Sequence, residues 1–481
     1  MDYGIVLRVL GFLLVIEAGS MLLPLGVALY SGGPDIMAFS VSILLTAAAG
    51  LGGLRFKSSG KVVRYREAFL IVALGWLLAS VFGSLPFVLA GSLPSAVDAF
   101  FETVSGFTTT GATVMANIEI QPQGILFWRS LTHWLGGMGI IVFTLAVLPA
   151  LGLGTMRIFQ AESPGPAPAK LVSRVDQTAK LLYGIYLALT IVQIAALKLT
   201  GWSWFDAVTH TFATMGTGGF STRNASVAAF RSPYGEWIIA LFMFAAGVNF
   251  SLYYGVIHRK LGTLLKDGEF RFYCGTVLVA SLLIAVNIAS LYQGQLGKII
   301  RDSFFQVVSM VTTTGFVTAD YGKWPELSKM VLFLLMFMGG CAGSTGGALK
   351  QIRVLLVLKA VKRKLTRLIH PKAVLPIVLG DSPVSEETID DVLVFTLFYI
   401  TIFVVVSMLL LTQGMDIPSS ASAVAATLGN VGPGFGLVGP TTTYANLTTL
   451  TKLLLSVCML LGRLEIYPII ALLLPNFWRR A

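Results

Sequence analysis

Charge is scarce in this chain: Asp, Glu, Lys and Arg make up 12% of its 481 residues, against 55% hydrophobic residues and a mean hydropathy of +0.81. Soluble domains carry about a quarter charged residues, so a water-facing globule is excluded and the chain reads as an integral membrane protein. Acids are rarer than bases, 23 against 34, which leaves a net charge of +11. One basic membrane face accounts for that excess without a nucleic-acid partner. The three cysteines, Cys274, Cys341 and Cys458, stand in separate apolar segments without a CxxC or metal-ligand cluster, so neither a disulfide framework nor zinc is indicated. The four histidines, His133, His210, His258 and His370, have no HExxH or paired spacing. There is no Walker motif and no GxGxxG following a soluble strand, so ATP-driven transport, a bound cofactor and an intramembrane enzyme all lack a signature. His133 and His210 read as hydrogen-bonded structural residues.

Apolar runs long enough to cross a ~30 Å hydrocarbon layer fall at Ile5 to Tyr30, Asp35 to Leu54, Ala68 to Ala90, Gly124 to Leu151, Leu181 to Leu199, Glu236 to Ile257, Phe272 to Leu291, Ser328 to Leu358, Val392 to Leu411 and Thr448 to Leu474. The first lacks a basic start and is too long for a leader core, so it reads as a retained helix. Between later pairs of spans lie shorter stretches, Ser95 to Ser105, Trp204 to Thr214, Ile299 to Met310 and Ser419 to Leu428. These are too short to cross and read as re-entrant half-helices. Basic residues gather after the even-numbered spans: Arg55 to Arg66, Arg157 to Lys180, Arg259 to Arg271, Lys350 to Lys372, and Arg479 and Arg480. By the positive-inside rule both termini are then cytoplasmic. Lys350 to Lys372 is denser than orientation needs, which suits contact with lipid headgroups or a cytosolic partner.

Each half-helix runs into a small-residue stretch rich in Thr or Gly: Phe107 to Thr113 (FTTTGAT), Met215 to Thr222 (MGTGGFST), Val311 to Thr318 (VTTTGFVT) and Asn430 to Gly436 (NVGPGFG). Non-helical backbone at membrane depth is tolerated where it is buried or lines a watery cavity. The expected architecture is therefore all-α, with about ten transmembrane helices. Residues 1–66 form a two-helix extension, and 67–175, 176–268, 269–375 and 376–481 form four repeats of span, half-helix, loop and span around one pore. Converging backbone carbonyls can replace the water shell of a monovalent cation. Glycine supplies the positive φ that aims them, and threonine adds hydroxyl oxygens. The negative C-terminal ends of the half-helices favour cations. Asp98, Glu102, Asp206 and Asp302 suit either cation attraction at the mouth or helix capping.

On these motifs and their spacing, over nearly the whole length, the sequence resembles the Trk/Ktr/HKT superfamily of potassium transporters. Its size, its two extra N-terminal spans and its GPGFG loop resemble the TrkH branch. The resemblance implies a potassium-binding filter made by Thr109, Thr110 and Gly111; Thr217, Gly218 and Gly219; Thr313, Thr314 and Gly315; and Asn430, Val431 and Gly432, with Gly434 an alternative register in the fourth loop. It implies uptake of potassium and rubidium as substrates, with sodium less strongly excluded because the walls are unequal. Gly111 argues for potassium, since serine there accompanies sodium transport in plant members. A sodium-permeable or ion-coupled symporter of the same superfamily is the alternative. The resemblance also implies a homodimer in the cell inner membrane and a cytosolic TrkA-like nucleotide-binding regulatory subunit. Lys350 to Lys372 and His258 to Arg271 are its candidate contacts.

Gly339 to Ala348 (GGCAGSTGGA) interrupts the eighth span. Five glycines inside a helix cost about 5 kcal/mol relative to alanine, so the helix is expected to break there. Close helix packing through small residues is the other reading. The resemblance implies an intramembrane gate made by Gly339, Gly340, Gly343, Ser344, Thr345, Gly346 and Gly347. Arg463, read as mid-span, has donors suited to the free carbonyls of such a loop, and a local pair with Glu465 competes with that role.

Overall fold

The computed structural model describes residues 1–57, 63–139, 175–257, 261–373, 375–380 and 382–478. The part of the fourth span beyond 139, the basic residues Lys61, Arg157, Lys170, Arg174, Arg259, Lys260, Arg479 and Arg480, and His258 lie outside these residues. What is described is almost wholly helical, a multi-pass membrane architecture. The sheet among these residues is one pairing of Val378–Leu379 with Ser382–Pro383.

Among the described residues, six helical stretches are long and apolar enough to cross a bilayer unaided: Tyr3–Ser31, Ile36–Leu54, Tyr65–Leu89, Lys180–Leu199, Gly268–Ile288 and Glu386–Leu411. The first two pack backbone to backbone. A side chain added to Gly11 would meet Gly50 and Gly53, and one added to Gly50 would meet Gly11. Small residues permit that approach where lipid supplies no hydrophobic drive between helices.

The half-helices are Ala96–Phe107, Trp204–Met215, Leu296–Val311 and Ile417–Leu428. Three begin at side-chain caps: Ser95 accepts from Asp98 N–H, Ser203 from Asp206 N–H, and Asp416 from Ser419 N–H. Each cap satisfies an orphan donor of the first turn. At 12 residues such a helix is about 18 Å long and stops partway through the membrane.

The second span of each repeat departs from a simple rod. Expected as continuous, the sixth is Pro233–Ala246 followed by Phe250–Ile257 at 98°, and the tenth is Thr449–Arg463 followed by Tyr467–Leu473 at 117°. The tenth turns where Glu465 and Ile466 take φ of 56° and 63°, so Arg463 ends a helix and is not mid-span. The fourth span's helix, Gln123–Gly137, ends at the corresponding level. The eighth is a short helix, Glu326–Leu335, then irregular chain, then Gln351–Ile369. A bend at this depth frees backbone groups that neighbours must satisfy, and it is on this level that the interrupted segment packs.

Candidate functional site

The four half-helices end in the same hydrogen-bonded turn. Thr110 N–H donates to Ser105 O at 2.9 Å, Gly218 to Ala213 O at 2.8 Å, Thr314 to Ser309 O at 2.9 Å and Val431 to Ala426 O at 2.7 Å. One residue earlier, Thr109, Thr217, Thr313 and Asn430 donate three residues back. This is the Schellman closure, which places the intervening residue in the left-handed region. Those residues have φ of 55°, 55°, 59° and 54°. For a β-branched threonine that conformation costs roughly 1–2 kcal/mol, and strain of this kind persists where the surroundings enforce it.

Two residues on, Gly111, Gly219, Gly315 and Gly432 take φ of 80°, 77°, 78° and 99°. These glycines close a ring. A Cβ on Gly111 would overlap the carbonyl oxygen of Gly218, one on Gly219 that of Thr314, one on Gly315 that of Val431, and one on Gly432 that of Thr110. Each loop thus abuts the next, and the fourth returns to the first. Asn430 and Gly432 occupy the positions of Thr109 and Gly111, while Gly434 bonds Val438 O at 2.7 Å. That fixes the register of the fourth loop.

Beyond the ring, each seam has its own tie. Asn224 accepts from Ile118 N–H and donates to Ala116 O, both at 2.7 Å. Ala228 N–H donates to Val317 O at 3.1 Å, and Tyr444 N–H to Thr113 O at 2.8 Å. Tyr321 Oη donates to Gly434 O at 3.2 Å. A vestibule of about 140 Å³ sits over the ring and is lined by all four glycines.

The walls differ behind the ring. Thr110 and Thr314 share hydroxyl hydrogen bonds of 2.8 Å with Thr108 and Thr312. In the second loop the matching position is Gly218, and the His133 ring fills the space where a Cβ would go. Its Nδ1 bonds Gly106 O at 2.8 Å, and its ring stacks on Phe220 at 4.1 Å. His210 is tied at both ring nitrogens, to Asp206 O and Ser221 Oγ, each at 2.8 Å. Both histidines are structural. Asn430 joins the fourth loop to the first through Thr110 Oγ1 at 2.9 Å and to Met459 O at 3.0 Å.

The four acids sought at the mouth have structural partners. Asp98 pairs with Lys452 at 2.6 Å, and Glu102 with Arg129 at 2.6 Å. Asp206 accepts from Thr222 Oγ1 at 2.7 Å and Asp302 from Tyr292 Oη at 2.9 Å.

On the side of the ring away from the vestibule lies the interrupted segment. It is pinched at its neck, where Gly339 N–H donates to Leu349 O at 2.8 Å. Gly347 N–H donates to Thr313 Oγ1 at 2.7 Å, and a Cβ on Gly347 would press on Gly429 and Asn430. The loop therefore touches the third and fourth walls directly. Cys341 N–H donates to Gly247 O at 2.8 Å, at the bend of the sixth span. Glu269 accepts from Ala342 N–H at 2.7 Å and from Ile352 N–H at 3.0 Å. Arg463 donates to Thr345 O at 2.8 Å, to Gly137 O at 2.9 Å and to Gly136 O, while Glu465 holds Arg353 at 2.5 Å. Lys350 Nζ donates to Gly346 O. Glu269, His133 and Tyr444 lie outside the motifs, and Lys350 falls two residues past Ala348. The nearest signal for them is a charged or polar residue flanking an apolar run.

A ring of backbone oxygens under a small vestibule suits passage of a dehydrated cation. The family model described as TrkH, cation transport protein, matches residues 35–479. The chain is 40% identical over 486 residues to the Trk system potassium uptake protein TrkH of Escherichia coli strain K12, covering 100% of both chains. It is 36% identical over 481 residues to the Trk system potassium uptake protein TrkG of the same strain, covering 99% of this chain and 98% of that protein. The crystal structure of the potassium transporter TrkH from Vibrio parahaemolyticus superposes with a TM-score of 0.88 at 37% identity, covering 100% of both chains.

Proposed function

The chain belongs to the TrkH family of cation transport proteins, and from that premise we propose that it takes up potassium by passing the ion through the ring of Gly111, Gly219, Gly315 and Gly432. The observation that carries this reading is the closure of the ring, each glycine against the carbonyl of the next loop. Potassium sheds its water at the vestibule and is coordinated by carbonyls of residues 109–111, 217–219, 313–315 and 430–432. Positive φ at alternate residues of each loop is the conformation that aims successive carbonyls at one axis. The half-helix C-termini add negative potential at the same point. The unequal backing of the walls supports a filter that passes potassium and rubidium and excludes sodium only in part.

Gly339 to Ala348 is the gate. Its contact with Thr313 and its grip by Arg463 support a closed state, released when the helix Gln351–Ile369 is displaced by a cytosolic TrkA-like subunit. The protein works as a homodimer in the inner membrane with both termini cytoplasmic, an orientation that sets its basic helix toward that subunit. The chain is a transporter, not an enzyme, and needs no cofactor of its own.

The deciding experiment is a reversal-potential measurement on reconstituted protein in mixed potassium and sodium gradients, with and without a proton gradient. A potential that follows potassium supports the reading, and one indifferent to potassium ends it. Gly111→Ser places a side chain against Gly218 O at a positive φ, so it raises sodium permeability relative to potassium. An unchanged ratio removes Gly111 from the filter.

A further inference from the structure

The four ring glycines share a backbone conformation but not their surroundings. Among the described residues, no hydrogen bond to the carbonyl of Gly111, Gly219 or Gly315 is recorded, whereas that of Gly432 accepts one from Tyr444 Oη at 2.7 Å. Gly432 is also the glycine whose φ departs from the rest, 99° against 77° to 80°. Tyr444 is held firmly. It is 3% exposed, its ring lies 5.5 Å from that of Phe101, and its N–H is bonded to Thr113 O. Tyr321, another buried phenol, bonds Gly434 O instead, two residues past the ring glycine.

A phenol has one proton to donate, and this one is committed to a carbonyl in the line of ion passage. A carbonyl that already accepts a hydrogen bond offers a cation a weaker field. Discrimination among monovalent cations depends on the number and field strength of the coordinating carbonyls. We propose that Tyr444 is a specificity-determining residue: its hydroxyl competes with the passing cation for the Gly432 carbonyl and makes the fourth wall the weak one. This rests on the filter reading above. It locates part of the preference for potassium over sodium in one hydroxyl outside all four motifs.

Tyr444→Phe removes the hydroxyl and keeps the ring packing on Phe101 and the backbone bond to Thr113. Reconstituted Tyr444→Phe, Gly111→Ser and unaltered protein are compared by bi-ionic reversal potential in potassium against sodium, with rubidium binding measured in parallel. The expected result is a several-fold fall in the potassium-to-sodium permeability ratio in Tyr444→Phe, because a stronger carbonyl field favours the smaller cation, with bound rubidium displaced several-fold more readily by sodium. A ratio that is unchanged or higher, while Gly111→Ser shifts its own, overturns the competition and leaves the filter standing. If neither substitution moves the ratio, the filter reading and this inference fall together.

Discussion

At the scale of single residues, the strained positions are those that shape the ring. Thr109, Thr217 and Thr313 hold a left-handed conformation that β-branched residues avoid, and Asn430 does the same work with a residue that tolerates it better. The sequence marked these positions because Thr and Gly cluster there. It did not reveal which side chains back them. His133 is the clearest case. It lies in an apolar run, its ring occupies the space left by Gly218, and it bonds the same Gly106 carbonyl that receives Thr109 N–H. His133→Ala opens a void behind the second wall, and buried truncations of this kind cost about 2–5 kcal/mol. The expected outcome is a lower melting temperature in detergent together with a reduced potassium-to-sodium ratio. Adding Gly218→Thr to the same chain, which places there the residue used in the first and third loops, restores part of both.

At the scale of elements, the half-helices were legible, because a semi-apolar stretch too short to cross the membrane and running into a Thr/Gly stretch has few other readings. The bends in the sixth and tenth spans were not. Gly247 to Asn249 and Leu464 to Ile466 carry no glycine run, and Asn249 and Glu465 are single polar residues within otherwise apolar runs. What holds these bends is tertiary: the freed carbonyls of Ala246 and Gly247 receive Thr345 and Cys341 N–H, and those of Gly136 and Gly137 receive Arg463. One guanidinium thus serves the end of the helix Gln123–Gly137 and the interrupted loop together. Its removal withdraws charge-assisted bonds worth about 1.5–3 kcal/mol each. Arg463→Ala is expected to raise unstimulated rubidium flux in vesicles at least several-fold, and flux equal to the unaltered protein would deny Arg463 a part in gating. Glu269 bonds the loop at Ala342 and the following helix at Ile352, so it sits where movement of that helix would reach the loop.

At the scale of the whole molecule, the pore is held by its seams. The ion pair of Glu102 and Arg129 is buried, with side chains 0% and 2% exposed. Glu102 also takes Thr113 Oγ1 at 2.9 Å and Val114 N–H at 2.8 Å, and Arg129 reaches Ser221 O at 2.9 Å across to the second repeat. Removing one member strands the other charge, at a cost of about 3–5 kcal/mol. Glu102→Ala is expected to lower the melting temperature far more than it alters the ion ratio. The opposite pattern would return Glu102 to the role of an acid at the mouth.

The ring joins its last loop to its first within one polypeptide, through Gly432 and Thr110. In an assembly of four identical subunits, any substitution is copied onto every side of the axis. Here a substitution alters one side only, so the ring can be adjusted in quarter steps.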